Sequence, residues 1–192
     1  MPPSPYGAPA AIDTMGSVAA PLLAGFSMTL LILVITNPDS FRWPGPVLVA
    51  FAFSAVALVS VVQFTFWARS YTVTPDELKS WWPDVETEER RSVVRGEQLA
   101  HEQARRIWST RARRFYRAGI IALLLGTAIA LIPPGRVTTA QWVAFSVLLL
   151  GLIYEVLWVI AASAHNRGKD WSWAAWISPT SPWKEPPKET RA

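Results

Sequence analysis

The stretch RRIWSTRARRFYRAGIIALLLGTAIALI, residues 105–132, sets six arginines (Arg105, Arg106, Arg111, Arg113, Arg114 and Arg117) directly before an apolar run from Ala118 to Ile132. No acid interrupts it. A cationic block abutting an apolar segment marks the cytoplasmic end of a transmembrane helix, because Lys and Arg near span ends are retained on the inner side. Everything else in the chain takes its orientation from this junction.

Upstream of the arginines, acids and bases alternate at helical spacing. Glu86 and Arg90, Glu88 and Arg91, and Glu102 and Arg106 fall three or four residues apart with the acid first, each pair stabilising a helix by roughly 0.3 kcal/mol. Val93, Ala100, Ala104, Ile107 and Trp108 form a modest apolar stripe. No breaker follows until Pro133, so one helix is predicted from Val85 to Ile132, about 70 Å long at ~1.5 Å per residue, with Gly96 as its weakest point. A shorter helix is expected from Thr74-Pro75-Asp76-Glu77 to Pro83, with Thr as cap and Pro in the first turn.

Three further apolar runs are long enough to cross a bilayer, which takes about 20 residues. The expected organisation is a flexible cytoplasmic tail at 1–15, transmembrane helices at 16–36, 46–67, 115–132 and 142–164, external loops at 37–45 and 133–141, a cytoplasmic helical loop at 68–114, and a cytoplasmic Trp-rich segment and tail at 165–192. The Pro- and Ala-rich start lacks the cationic region of a signal peptide. Trp43 and Trp67 stand at the two ends of the second run, where indole rings favour the headgroup level. Trp171, Trp173, Trp176 and Ile177 suggest a turn docked on the inner leaflet. The fold class is thus an all-α integral membrane protein of two helical hairpins, its charged inner loop continuous with the third span.

Composition agrees. The chain has 192 residues, 51% hydrophobic, with 11 Trp, and its mean hydropathy is +0.23, too apolar and aromatic for a soluble domain of this size. The net charge of +4 is explained by topology before nucleic acid is needed. Cations counted by segment give ten between the second and third runs, five in the C-terminal tail and one in each short loop, which puts both termini in the cytoplasm. The Arg- and Ala-rich bias suits a bacterial inner membrane.

Lipid offers no hydrophobic drive for helix association, so small residues that let backbones approach decide where helices meet. Ala118, Ala122, Gly126 and Ala130 make such a ladder in the third span, and Gly16, Ala20 and Ala24 in the first. These faces are expected to meet partners within the chain or in a second copy.

Chemistry-bearing residues are few. Glu155 is the one carboxylate well inside a span, about 13 Å from its cytoplasmic end, where an unpaired charge costs at least ~2.5 kcal/mol. Either it serves as a proton or cation site, or it is protonated and bonded to a neighbour such as Thr127 or Gln63, the polar residue of the second span. The arginine block serves topology, then anionic lipid headgroups, with an acidic partner or nucleic acid third. Zero cysteines remove thiolate chemistry and disulfides. His101-Glu102-Gln103-Ala104-Arg105 begins like a zinc helix but carries Arg where the second His belongs. Glu88-Glu89 lacks the downstream Arg and the membrane depth that paired-glutamate membrane proteases require. No catalytic motif, cofactor site or metal site is expected. The sequence points to a non-enzymatic scaffold, homo-oligomeric or with a cytoplasmic protein partner, and secondarily to a small channel, effector pore or proton-coupled transporter using Glu155.

Overall fold

A computed structural model describes residues 8–72, 77, 80–81, 88–133, 135 and 138–165. Among them every regular element is helical. Helix α1, Ala8–Thr14, runs through a π-helical turn, Met15–Ala19, into α2, Ala20–Thr36. A 3-10 turn, Pro38–Ser40, leads to α3, Pro44–Ser70; then come α4, Glu88–Ala130, and α5, Thr139–His165. Three stretches are long and apolar enough to cross a membrane: Ala10–Thr36, Pro44–Ser70 and Thr139–Ala161, each with mean hydropathy 2.4.

The start of the chain departs from the flexible tail expected of it. Helix begins at Ala8, because Ala10 and Ala11 are strong helix formers and Asp13 finds a partner in Arg69 at the end of α3, 2.8 Å away. Pro21 stands in the first turn of α2, directly after the π turn, so helix also precedes it. A proline there removes one backbone bond and crowds the carbonyl four residues back, and the widened π turn just before it absorbs both. In contrast, α4 passes through Gly96 unbroken. Of the short helix expected at residues 74–83 only Glu77, Ser80 and Trp81 are described, all three helical, with Ser80 Oγ donating to the Glu77 carbonyl at 2.8 Å; the Glu86/Arg90 and Glu88/Arg91 side-chain pairs and the Trp-rich segment after His165 lie outside what is described.

Helix α3 is the spine. Its buried residues Val47, Phe51, Ser54, Leu58, Val61, Thr65 and Ala68 follow one another in alternating steps of four and three. On α4 the sequence Ser109, Ala112, Tyr116, Gly119, Leu123, Gly126 repeats that spacing against it. This is the seam of a coiled coil, with an average period of 3.5 residues. Helix α2 closes the other side through Ala20, Ala24, Ser27 and Val34. Two cores result: Ala20, Ala24, Leu58, Val61 and Ala112 at one end, and Val34, Val47, Phe51 and Leu123 at the other.

The ladder of small residues on α4 is only partly in that seam. Ala122 and Gly126 are buried, Ala118 and Ala130 half-buried. The closest approaches belong to two glycines seven residues apart: a Cβ on Gly119 would stand 2.7 Å from Leu58 Cγ, and one on Gly126 2.9 Å from Phe51 Cε1. The seam follows a seven-residue repeat, not the four-residue step of the ladder. Gly16 on the first helix also serves a close approach, its missing side chain leaving room for Thr65.

Helix α5 stands apart. It packs chiefly on α4, and among its described residues only Ala161 is buried. Val143, Val147, Leu150 and Tyr154 face outward.

Candidate functional site

The polar and aromatic side chains gather in three places along α4, because successive stretches of that helix face different neighbours.

The first lies where α1, α3 and α4 converge. Ile12, Asp13, Ala68, Arg69, Thr72, Arg105 and Ser109 line a small cleft. Asp13 and Arg69 form a charge pair whose angle falls short of a hydrogen bond, leaving Asp13 Oδ1 buried without one. Arg105 turns back along its own helix. Its Nε and Nη2 donate to the two carboxylate oxygens of Glu102 at 2.7 and 2.9 Å, and Arg106 Nε donates to Glu102 at 3.0 Å. The Arg105 fork is the main reason the Glu102 carboxyl sits below its ordinary range; partial burial opposes it and Arg106 adds to it. The same pairing raises Arg105. His101 is taken up against the Tyr71 ring, with centroids 5.9 Å apart. The His101-Glu102 dyad that resembled half a zinc helix is therefore occupied in packing and ion pairing.

The second is a ledge of rings between α3 and α4, one turn further along. Phe64 lies 5.8 Å from Trp108 and 5.0 Å, edge-on, from Phe115; Trp67 stacks on Trp108 at 6.1 Å. The Arg111 guanidinium covers the Trp108 ring at 4.8 Å, a cation–π distance. Trp67 and Phe115 remain 48% and 41% exposed, so the ledge opens outward.

The third is between α4 and α5. The Arg117 guanidinium stands over Trp158 at 5.8 Å, and Glu155 lies one turn before Trp158 on α5, on that side of α4 but without an ion pair within 4.0 Å of Arg117. Arg117 lies nine residues, or ~13 Å, beyond Trp108 along α4. One expectation is corrected. Glu155 meets neither suggested neighbour: Thr127 Oγ1 donates to the Leu123 carbonyl of its own helix, and Gln63 is exposed on α3.

The arginine block is thereby divided. Arg105 and Arg106 hold Glu102, Arg113 Nε reaches the Ser109 carbonyl at 3.4 Å, Arg117 faces α5, and Arg111 and Arg114 remain exposed. Sequence reasoning passed over Asp13, Arg69, Ser27 and Ser54. The serines carried a usable signal, since each is a polar residue on the small-residue face of its span; Asp13 was obscured by its Pro- and Ala-rich surroundings. Among the described residues no group of three or more His, Asp or Glu is placed to hold a metal. No protein-family profile, curated protein or solved structure matches the chain.

Proposed function

We propose that the chain is a four-span scaffold of a bacterial inner membrane, with both termini in the cytoplasm, which presents the charged part of α4 to a protein partner or to a second copy of itself. The observation that carries this is α4: a single helix of 43 residues whose apolar half packs on α3 and whose charged half continues past the end of α3. A rigid connection of this kind transmits the position of one half to the other without a hinge. The outer connections are short, so elaboration lies on one side only.

The fourth crossing is supported by how α4 and α5 pair. From Ala118 to Ala130 the apolar part of α4 is about 20 Å long, shorter than the ~30 Å hydrocarbon core. Long Arg stems reaching towards the headgroups extend it, and Arg117, too deep for that, sits near Glu155. The test is isolation of the complex from native membranes in lipid nanodiscs, with its intact mass measured. Deleting residues 74–99 should remove a partner or additional copies; an unchanged composition overturns the scaffold.

The rival is a small channel or proton-coupled transporter, favoured by the half-buried Glu155. Glu155→Gln should then abolish ion flux in liposomes with assembly intact, and absence of flux in the wild type at every pH removes it. Arg117 over Trp158, one turn from Glu155, offers that carboxyl a structural role and ranks this second.

A further inference from the structure

We propose that the ledge between the inner ends of α3 and α4 is a binding site for one anionic phospholipid, with Arg111 at the phosphate and Phe64, Trp67, Trp108 and Phe115 along the upper acyl chains. It rests on the membrane placement given above. The four rings form one connected surface, each within 6.1 Å of the next, and two of them are almost half exposed. Apolar exposure alone would describe any lipid-facing helix. What distinguishes this place is the cation on it.

Of the six arginines in the block, Arg105 and Arg106 are neutralised by Glu102 and Arg117 lies near Glu155. Arg111 is exposed, has no acid partner among the described residues, and lies over the Trp108 ring. Arg114, three residues on, is likewise exposed. Arg113 is also exposed and gives its Nε only to the Ser109 carbonyl, so three cations without an acid partner among the described residues stand on this part of α4, and they favour a phosphodiester bearing net negative charge over a zwitterionic headgroup, whose ammonium they repel.

Direction agrees. Side chains of an α-helix lean towards its N-terminus, which carries the Arg111 head back over Trp108, while Phe115 lies a turn further into the bilayer. The charge therefore sits on the headgroup side of the rings and Phe64 and Phe115 on the acyl-chain side. Trp67 and Trp108 stack at the level between them, where indoles favour the interface.

The full-length protein in nanodiscs of equal phosphatidylglycerol and phosphatidylcholine provides the test, because both leaflets of the disc are alike and orientation does not enter. Lipids retained on the intact protein are counted by native mass spectrometry. Wild type should retain phosphatidylglycerol over phosphatidylcholine by about fivefold, roughly what one cation near an anionic headgroup supplies. Arg111→Gln should bring the ratio near unity, Arg111→Lys should preserve most of it, and Arg95→Gln, exposed on the same helix away from the rings, should leave it unchanged. Equal retention of the two lipids by wild type, or undiminished preference in Arg111→Gln, overturns the site. As a second measurement on wild type alone, acyl-brominated phosphatidylglycerol should quench tryptophan fluorescence more than brominated phosphatidylcholine at the same mole fraction. Equal quenching overturns the proposal even if the Gln variant fails to assemble. The outcomes that decide the site are read on Arg111 and on wild type, not on the deletion of residues 74–99, so failure of the scaffold proposal is read separately.

Discussion

Ser54 Oγ donates to the Gly119 carbonyl across the α3–α4 seam at 2.9 Å, and stands 3.0 Å from Ser27 Oγ on α2. Ser27 Oγ also lies 2.8 Å from the Leu23 carbonyl of its own helix, so with one hydrogen on each hydroxyl Ser54 donates to Gly119 while the Ser27 hydrogen is shared between the Leu23 carbonyl and Ser54 Oγ. Both serines are fully buried, and the chain of bonds ties three helices at one level.

Gly119 matters there twice, for its carbonyl and for its missing side chain. Gly119→Val should destabilise the bundle by about 1–3 kcal/mol through overpacking against Leu58. Ser54→Ala should cost less, about 0.6–1.7 kcal/mol, in line with interhelical hydrogen bonds in membranes. Denaturation of the purified protein in mixed micelles measures both, and a Ser54→Ala loss larger than that of Gly119→Val would contradict the ranking.

Much of this architecture is legible in the chain because helices long enough to cross lipid announce themselves by length and apolarity, and Pro38, Pro133 and their neighbours punctuate them. The packing is not, and the reason is physical. A span facing lipid is apolar on every side, so the buried seam of α3 (Val47, Phe51, Leu58, Val61) carries no polar contrast with its exposed face of Val49, Phe53, Val56 and Phe66. Small residues alone mark it, and alanine is frequent enough to complete a four-residue ladder of Ala118, Ala122, Gly126 and Ala130 that leaves Gly119 out. Arg117 and Glu155 are 38 positions apart (155 − 117), and no local rule joins them. Charge read along the chain groups Arg117 with its sequence neighbours, and only the fold shows that it stands over Trp158 of α5.

The proximity of Arg117 and Glu155 predicts a coupling. Arg117 stands over Trp158, one turn from Glu155 on α5, so removing either charge changes the electrostatic environment of the other. Arg117→Gln and Glu155→Gln should each destabilise the α4–α5 packing, and the double variant should lose less than their sum, by about 0.5–3 kcal/mol. Additive losses in the double-mutant cycle would mean that the two charges do not interact.

Acid should loosen α4 through Glu102. Its carboxyl is held below the ordinary value of 4.5 by Arg105 first, with Arg106 assisting, so it is more easily ionised in the folded helix than in the unfolded chain. A depressed carboxylate contributes stability that is fully present above 4.5 and is lost as pH falls through the lower folded-state value. Amide exchange around residues 98–106, corrected for intrinsic rates, should therefore speed up below pH 4.5 in wild type and change less with pH in Glu102→Gln. The side chain is 32% exposed, so the effect is confined to local opening of the helix.

Topology is testable without interference because the chain contains no cysteine. The position has to be chosen from the fold: Ser109 is only 4% exposed against the α3 seam, so a thiol there would be silent from either side of the membrane. Thr110, its neighbour, is exposed. If the long connection is cytoplasmic, Thr110→Cys should resist a membrane-impermeant maleimide on intact cells and react in inside-out vesicles. Ser40→Cys and Thr138→Cys, exposed in the two short connections, should show the reverse pattern. Reaction of Thr110→Cys and Thr138→Cys from the same side would mean that α4 does not cross, since the two positions bracket its apolar half. Reaction of Thr110→Cys from outside with Ser40→Cys protected would invert the whole protein. The cation count weighs against that inversion, because it would place the ten Lys and Arg of the long connection on the outer side.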